Sequence, residues 1–474
     1  MIQYFKKIII TFVLICSCFF FTGQVLAVEI TYDVHHYPQK LHITLQFTGS
    51  EKGVTKIAIP SRIWGHNLGK QIKNIQISDK TITQEASGTL IHKPNQIIKL
   101  SYDIVNVDVA YGNSYYTYCE RDGFFFLHDF ALIYPELQDQ QDAVLQYHSQ
   151  KAKQFFCLGE KVQIGEKIIT SLKELKGGFS ISGNDAILQS TKLHNMPILG
   201  FNVSCSNFIN VQQMLSIIIE SQKNLCNCQV KDNAIIFIGN KSTNQRYRGS
   251  LLEHNQILFL ISDIIDDLEF KNLSAHENFH KYIGKGPIRY DPKDGLTFKW
   301  FFEGFTDYFA LKTNLISKNI TLQQYLSTYN RILENYFASP YKSLAYDQAS
   351  IQYWQNGRIK QMIYDRGHIM AQELDLEIGR VSNKTLQDVL CEMLNIFQKD
   401  AKLTFSKNVL IEVIKTVTKY DLTSKINSLI DGDINLTNIL SNIAIENNAS
   451  FAWELFMVPQ YKVKTSQSTK GNVK

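Results

Sequence analysis

The sequence predicts an α+β multidomain protein, with an N-terminal antiparallel β-sandwich-like domain followed by a mainly helical domain. Three observations carry this reading. Between Val28 and about Lys167, short segments alternate apolar and polar residues with the period of two of a half-buried strand, and turn residues separate them. Later, apolar residues recur at helical spacing from Phe298 to Leu315, Leu322 to Phe337, Ile359 to Ile378 and Leu386 to Phe397. The 474 residues, 44% of them hydrophobic, are enough for two to three domains with their own cores.

The first segment, residues 1–27, reads as a targeting signal. Lys6 and Lys7 precede the apolar run Ile8 to Phe21, and Val25-Leu26-Ala27 has the small-residue ending of a cleavage site. The run is shorter than the ~18–20 residues of a spanning helix, so a retained anchor is the weaker alternative, as is lipidation at Cys18. The mature chain is therefore expected to be exported, periplasmic or secreted, with no stable membrane span. The 49 basic and 44 acidic residues of the full sequence form no dense basic stripe, which argues against nucleic acid as a partner. Six cysteines remain beyond residue 27, and their fifteen possible full pairings leave connectivity open. Cys226-Asn227-Cys228 lacks a second pair at zinc-finger spacing and reads as buried or paired thiols.

The β domain is placed at 28–188. Leu41-His42-Ile43-Thr44-Leu45-Gln46-Phe47 is one such alternating strand, and Gly49-Ser50 and Gly112-Asn113 mark turns. The aromatic runs Tyr115-Tyr116-Thr117-Tyr118 and Phe124-Phe125-Phe126 read as packing, with carbohydrate binding as the alternative. The second domain is placed at 189–400, with a helix near Asn207 to Lys223 and a buried strand over Ala234-Ile235-Ile236-Phe237-Ile238-Gly239. Residues 401–461 read as helical, and the Lys- and Ser-containing end, 462–474, lacks apolar anchors.

Two stretches carry chemistry. Residues 276–280 read His276-Glu277-Asn278-Phe279-His280, and Glu303-Gly304-Phe305-Thr306-Asp307-Tyr308 lies downstream. Residues four apart on a helix share a face, so His276 and His280 can aim two imidazole nitrogens at one point. Catalytic zinc takes three protein ligands and leaves a fourth position to water, and Glu303 is the natural third ligand. Glu277 sits beside His276 and points next to the metal, which is a general base's position. Asp307, one turn after Glu303, can accept the outer N–H of a ligating histidine. The bland alternative is a solvated helix face that carries two histidines by chance.

Together with Trp300-Phe301-Phe302, these residues resemble the glycyl aminopeptidase family of gluzincin metallopeptidases, in which a β domain precedes a thermolysin-like zinc peptidase domain. Ile59-Pro60-Ser61-Arg62-Ile63-Trp64-Gly65 is similar to that family's proline-tryptophan-glycine turn. Tyr364-Asp365-Arg366-Gly367 is similar to its Tyr-x-Lys-Gly segment, with Leu374-Asp375-Leu376 following. The resemblance implies that Tyr364 donates a hydrogen bond to the oxyanion and that Glu253, in Leu252-Glu253-His254, lies near the substrate's amino terminus; helical spacing puts His368 one turn beyond Tyr364 on the same face, as a candidate proton shuttle. The chain departs from the pattern at Gly249-Ser250, where the family has paired glycines. It departs again at Tyr282 and Ile283, where the family has Trp and Asn, and no C-terminal PDZ domain is legible.

The resemblance thus implies an aminopeptidase that binds one Zn2+ ion and acts on peptide substrates. Zinc endopeptidase activity is one alternative. A decayed peptide- or carbohydrate-binding protein is another, and a scaffold with a coincidental motif is a third. The oligomeric state is left open.

Overall fold

The computed structural model describes residues 30–60, 62–63, 66–67, 71–85, 88–105, 117–137, 140–193, 195–226, 228, 230, 234–239, 247–252, 256–261, 268–430, 449–453 and 459–463. The expected targeting signal, Trp64, Tyr115, Tyr116, Glu253 and the end from 464 lie outside them. Contacts divide the chain into two compact units, Met1–Leu188 and Gln189–Lys474.

In the first unit a six-stranded sheet is built from β1 (Ile30–Tyr37), β2 (Lys40–Thr48), β3 (Ile72–Ile77), β4 (Ile97–Val105), β5 (Asp142–His148) and β6 (Lys167–Ser171), in the order β6-β5-β1-β2-β4-β3. Alternation fixes its faces. Ile30, Tyr32 and Val34 of β1 and Leu41, Ile43, Leu45 and Phe47 of β2 are buried, while the residues between them point to the other side. The antiparallel expectation needs one correction: β1 and β5 pair in parallel, Ile30 opposite Ala143 through His35 opposite His148. Parallel neighbours need a long crossover, and residues 38–141 intervene between these two strands. A five-stranded antiparallel sheet includes Gly123–Leu127, every residue of which is buried. Phe124 and Phe126 pack against Tyr147 at ring separations of 5.7 and 6.2 Å. Those rings belong to the core and offer no platform to a sugar.

The second unit opens with a five-stranded sheet of β7 (Leu188–Leu193), β8 (Met196–Phe201), β9 (Ala234–Gly239), β10 (Tyr247–Leu251) and β11 (Gln256–Ile261), in the order β7-β8-β9-β11-β10. Strands β8, β9 and β11 run parallel and are nearly continuously apolar, as buried parallel strands are; β10 is an antiparallel edge. Helix α1 (Cys205–Cys226) and α2 (Leu268–Phe279) pack on this sheet through a core that includes Phe208, Leu215, Phe237, Phe259 and Phe270.

A second core joins α3 (Thr306–Ile316), α4 (Leu322–Ala338), α5 (Gly357–Val381) and α6 (Leu386–Lys399), then α7 (Lys407–Thr418) and α8 (Thr423–Ile430). Capping boxes open α4 at Thr321 and α6 at Thr385. Buried Asp375 ties three helices together: it accepts from the Tyr308 hydroxyl and the Lys312 ammonium of α3 and, at 2.6 Å, from the Leu386 N–H of α6. A disulfide joins Cys226, at the end of α1, to Cys391 in α6, while Cys228 is a buried free thiol. Helix does not continue to residue 461 as expected. Ala449–Trp453 and Pro459–Val463 pair as an antiparallel hairpin. No helix among the described residues is long and apolar enough to cross a membrane.

Candidate active site

Two helical elements bring the motif residues together. His276 lies in the last turn of α2, and His280 follows its end, where its N–H still bonds the His276 carbonyl at 3.2 Å. Glu303 sits in a π-helical turn, Trp300–Phe305, that leads into α3. Such a turn adds a residue to the helical repeat and re-aims side chains, a device that recurs at functional sites. Helix α5 packs tightly against this turn. A Cβ at Gly304 would run into the backbone of Gly367, and one at Gly367 would meet the Trp300 carbonyl oxygen and, at 2.9 Å, the Gly304 Cα. Only glycine at both positions permits that approach, which carries Tyr364 toward the histidines; its ring lies nearly parallel to that of His276, 6.3 Å away.

The ligand atoms converge. His276 Nε2 and His280 Nε2 are 2.9 Å apart, and Glu303 Oε2 lies 3.5 and 3.4 Å from them. Nδ1 of His276 faces Asp307 Oδ1 at 2.6 Å, and Nδ1 of His280 faces the Ile283 carbonyl at 3.0 Å. Both partners are acceptors, so each Nδ1 carries a proton and donates it, leaving the two Nε2 lone pairs turned toward Glu303. Three electron-rich atoms at such distances repel one another unless positive charge sits among them. Ligand atoms around a tetrahedral zinc lie about 3.3 to 3.5 Å apart, and two imidazoles with a carboxylate are a usual zinc donor set. The residues therefore fit the metal.

The electrostatics agree. Burial opposes charge on His276, but Asp307, Glu303 and Glu277 outweigh it and hold its pKa well above the usual range. Burial likewise opposes ionisation of Glu303, yet His276, His280 and Lys299 around it hold its carboxyl well below the usual range. The pocket is built to retain a cation.

Glu277 is buried beside the cluster, and the edge strand β10 runs past it: a Cβ on Gly249 would meet Glu277 Cγ at 2.5 Å and Oε1 at 2.9 Å. Gly249, His276, Glu277 and Tyr364 are common to two clefts, of about 200 and 890 Å³. The larger one continues along α4 and α5 past Arg331 and Asp365. Tyr364 accepts a hydrogen bond from the Tyr353 hydroxyl at 3.2 Å, and burial followed by the Glu303 charge raises its pKa, keeping it protonated.

His368, expected as a candidate shuttle, is buried with Tyr308 and Tyr329 each 5.7 Å from its ring. Burial lowers its pKa to about 4, so it is neutral near pH 7. The loss of an amide at Ile283 leaves His280 untouched, because the contact uses the backbone carbonyl. Lys299 was not anticipated. Its ammonium donates to Glu303 Oε1 at 2.7 Å, and its place one helical turn before Glu303 was the available signal. Tyr353 is joined to Tyr364 only through the fold and left no such signal.

Two imidazoles, a carboxylate from the next helix and a buried glutamate beside them are thus brought together as the sequence motif predicts. Residues 269–370 match the family described as M61 glycyl aminopeptidase. No curated protein matches it. Among solved structures, an aminopeptidase N family protein from Idiomarina loihiensis aligns with a TM-score of 0.72 at 16% identity, over 90% of this chain and 79% of the other. That likeness establishes the two-part fold, a β-rich domain followed by a helical one. An M1 zinc metallopeptidase from Deinococcus radiodurans aligns with a TM-score of 0.48 at 12% identity, over 87% of this chain and 96% of the other.

Proposed function

We propose that the chain is an exported zinc-dependent aminopeptidase that hydrolyses peptide bonds with a water activated by Glu277. The observation that carries this reading is the convergence of His276 Nε2, His280 Nε2 and Glu303 Oε2, with both Nδ1 atoms already committed elsewhere. Held by these three side chains, zinc would supply a Lewis acid that polarises the scissile carbonyl and acidifies a water.

Glu277 takes a proton from that water as its oxygen attacks the carbonyl carbon. It then delivers the proton to the departing amine nitrogen as the C–N bond breaks. Tyr364, kept protonated, donates its O–H to the oxygen that becomes negative. Asp307 holds His276 in the tautomer a ligand needs, and Lys299 holds the second oxygen of Glu303. An extended peptide can pair along the outer edge of β10 beside Gly249, which presents its carbonyl to the cluster. Export is supported by the segment 1–27 and by a disulfide of the kind that persists in oxidising compartments.

The test is mass-spectrometric mapping of a mixed peptide library cut by wild type and by Glu277→Gln, with zinc measured in both. Stepwise loss of single amino-terminal residues is expected from the wild type, and no turnover from a variant that still binds zinc. Internal cuts would assign an endopeptidase, and an active Glu277→Gln protein would remove the mechanism.

A further inference from the structure

The N-terminal unit holds its own convergence of metal-ligating side chains. On the parallel pair β1 and β5, His35 stands opposite His148. Asp33, two residues before His35, projects from the same face of its strand. Asp33 Oδ2 is 3.3 Å from His35 Nε2, Asp33 Oδ1 is 2.8 Å from His148 Nε2, and the two imidazoles face each other at 4.4 Å. One ligand atom from each residue lies within 4.8 Å of the other two. We propose that Asp33, His35 and His148 form a second metal site that binds one divalent transition ion of the zinc class.

An orphaned atom supports the assignment. Asp33 Oδ1 is buried and has no aligned hydrogen-bond donor among the described residues, although His148 Nε2 is so near. The contact is close but off the axis that an N–H···O bond requires, whereas a cation needs no such alignment. The backbone is already in place. Tyr32, Val34 and Tyr147 are fully or almost fully buried and lock the register of the two strands, so the ligand Cα atoms need not move. The parallel rings must open for both Nε2 lone pairs to meet at one point, a rotation about χ2, whose preferences in histidine are broad. Side-chain exposures of 41, 39 and 38% for Asp33, His35 and His148 let an ion enter from solvent and keep water in the rest of its shell.

The donor set decides the class of ion. Two imidazoles and one carboxylate suit zinc, copper or nickel, whereas calcium and magnesium favour oxygen ligands throughout. Both histidines also line a concavity of about 490 Å³ whose wall includes Arg121 and Lys151. These positive groups oppose a cation, so the expected affinity is micromolar, about 1 to 50 µM.

Calorimetric titration of the metal-stripped, full-length protein with Zn2+ tests the proposal. Wild type should bind two equivalents. His148→Ala and His35→Gln should each bind one, and both should retain the wild-type melting temperature and peptidase rate once the remaining site is filled. Glu303→Ala should keep the weaker equivalent, which separates this site from the proposed peptidase centre. Loss of a ligand should weaken the second binding event at least tenfold. A wild-type protein that saturates at one equivalent would overturn the assignment, and so would a second equivalent that survives unchanged in both histidine variants.

Discussion

Gly367→Ala tests whether the packing of α5 on the π-helical turn sets the catalytic geometry. A methyl group at 367 would overlap the Trp300 carbonyl oxygen and lie 2.9 Å from both the Trp300 carbonyl carbon and the Gly304 Cα. Ordinary carbon–carbon contact is ~3.5 to 4.0 Å, so the two elements must part by about 1 Å. All the crowding atoms are backbone, and no side chain can swing aside to accommodate the methyl. Overpacking of this kind costs about 1 to 3 kcal/mol, partly offset by the ~1 kcal/mol that alanine gains over glycine inside a helix. A net loss of about 0 to 2 kcal/mol is expected.

The effect on rate should be larger than the effect on stability. Tyr364 is on α5 and Glu303 is on the turn, so the gap opens between the proposed oxyanion donor and a proposed metal ligand. A misplacement of ~1 Å can cost about a hundredfold in kcat. The assay pairs urea unfolding with kcat on a peptide substrate, for zinc-loaded wild type and variant. Gly379→Ala on the same helix is the control. Nothing lies within 4 Å of its added methyl group, so helix propensity alone should act and stabilise by roughly 0.5 to 1 kcal/mol. If Gly367→Ala behaves like Gly379→Ala in both measurements, the close approach does not position the site.

Tyr364→Phe should retain zinc and fold while kcat falls by about a hundred- to a thousandfold, with KM little changed; a variant within a factor of five of wild type in steady-state assays would rule out the oxyanion role. Burial pushes the Asp365 carboxyl up to about 8, so the folded state keeps its proton where the unfolded chain has lost it. Stability from this group is therefore complete below pH ~3.8 and is lost as pH rises through 8, in total on the order of 5 kcal/mol. Asp365→Asn should match wild type near pH 4 and become progressively more stable than it toward pH 8 in denaturant titrations; parallel pH profiles would contradict this. The Cys226–Cys391 disulfide spans 165 residues, and replacing both cysteines by alanine should cost about 2 to 5 kcal/mol in chemical denaturation.

What the sequence revealed and what it hid follow from the range of the forces involved. The strands of the first unit and helices α4 to α6 are legible because one buried face imposes its period on consecutive residues. His276, Glu277 and His280 are legible because a single helical turn relates them, and Asp307 because it is one turn from Glu303. The parallel pairing of β1 with β5 depends on a crossover that no local pattern encodes. The terminal hairpin was read as helix because two five-residue runs are too short to separate the two periods. Cys226 and Cys391 meet only after α1 and α6 have packed.

The same division runs through the site itself. The proposed metal ligands are arranged by local helical geometry, and Asp307 faces His276 Nδ1 across a single helix interface. The placement of Tyr364 instead requires two glycines, 63 residues apart by numbering (304 and 367), to give up their side chains so that two backbones can touch. Lys299 shows how the two levels combine. Helical spacing puts it within reach of Glu303, but the π-helical turn decides which carboxylate oxygen it takes and which is left facing the histidines. By holding Oε1 it keeps Oε2 aimed at the two histidine Nε2 atoms, and a neutral side chain there would leave a buried carboxylate free to rotate away from the cluster.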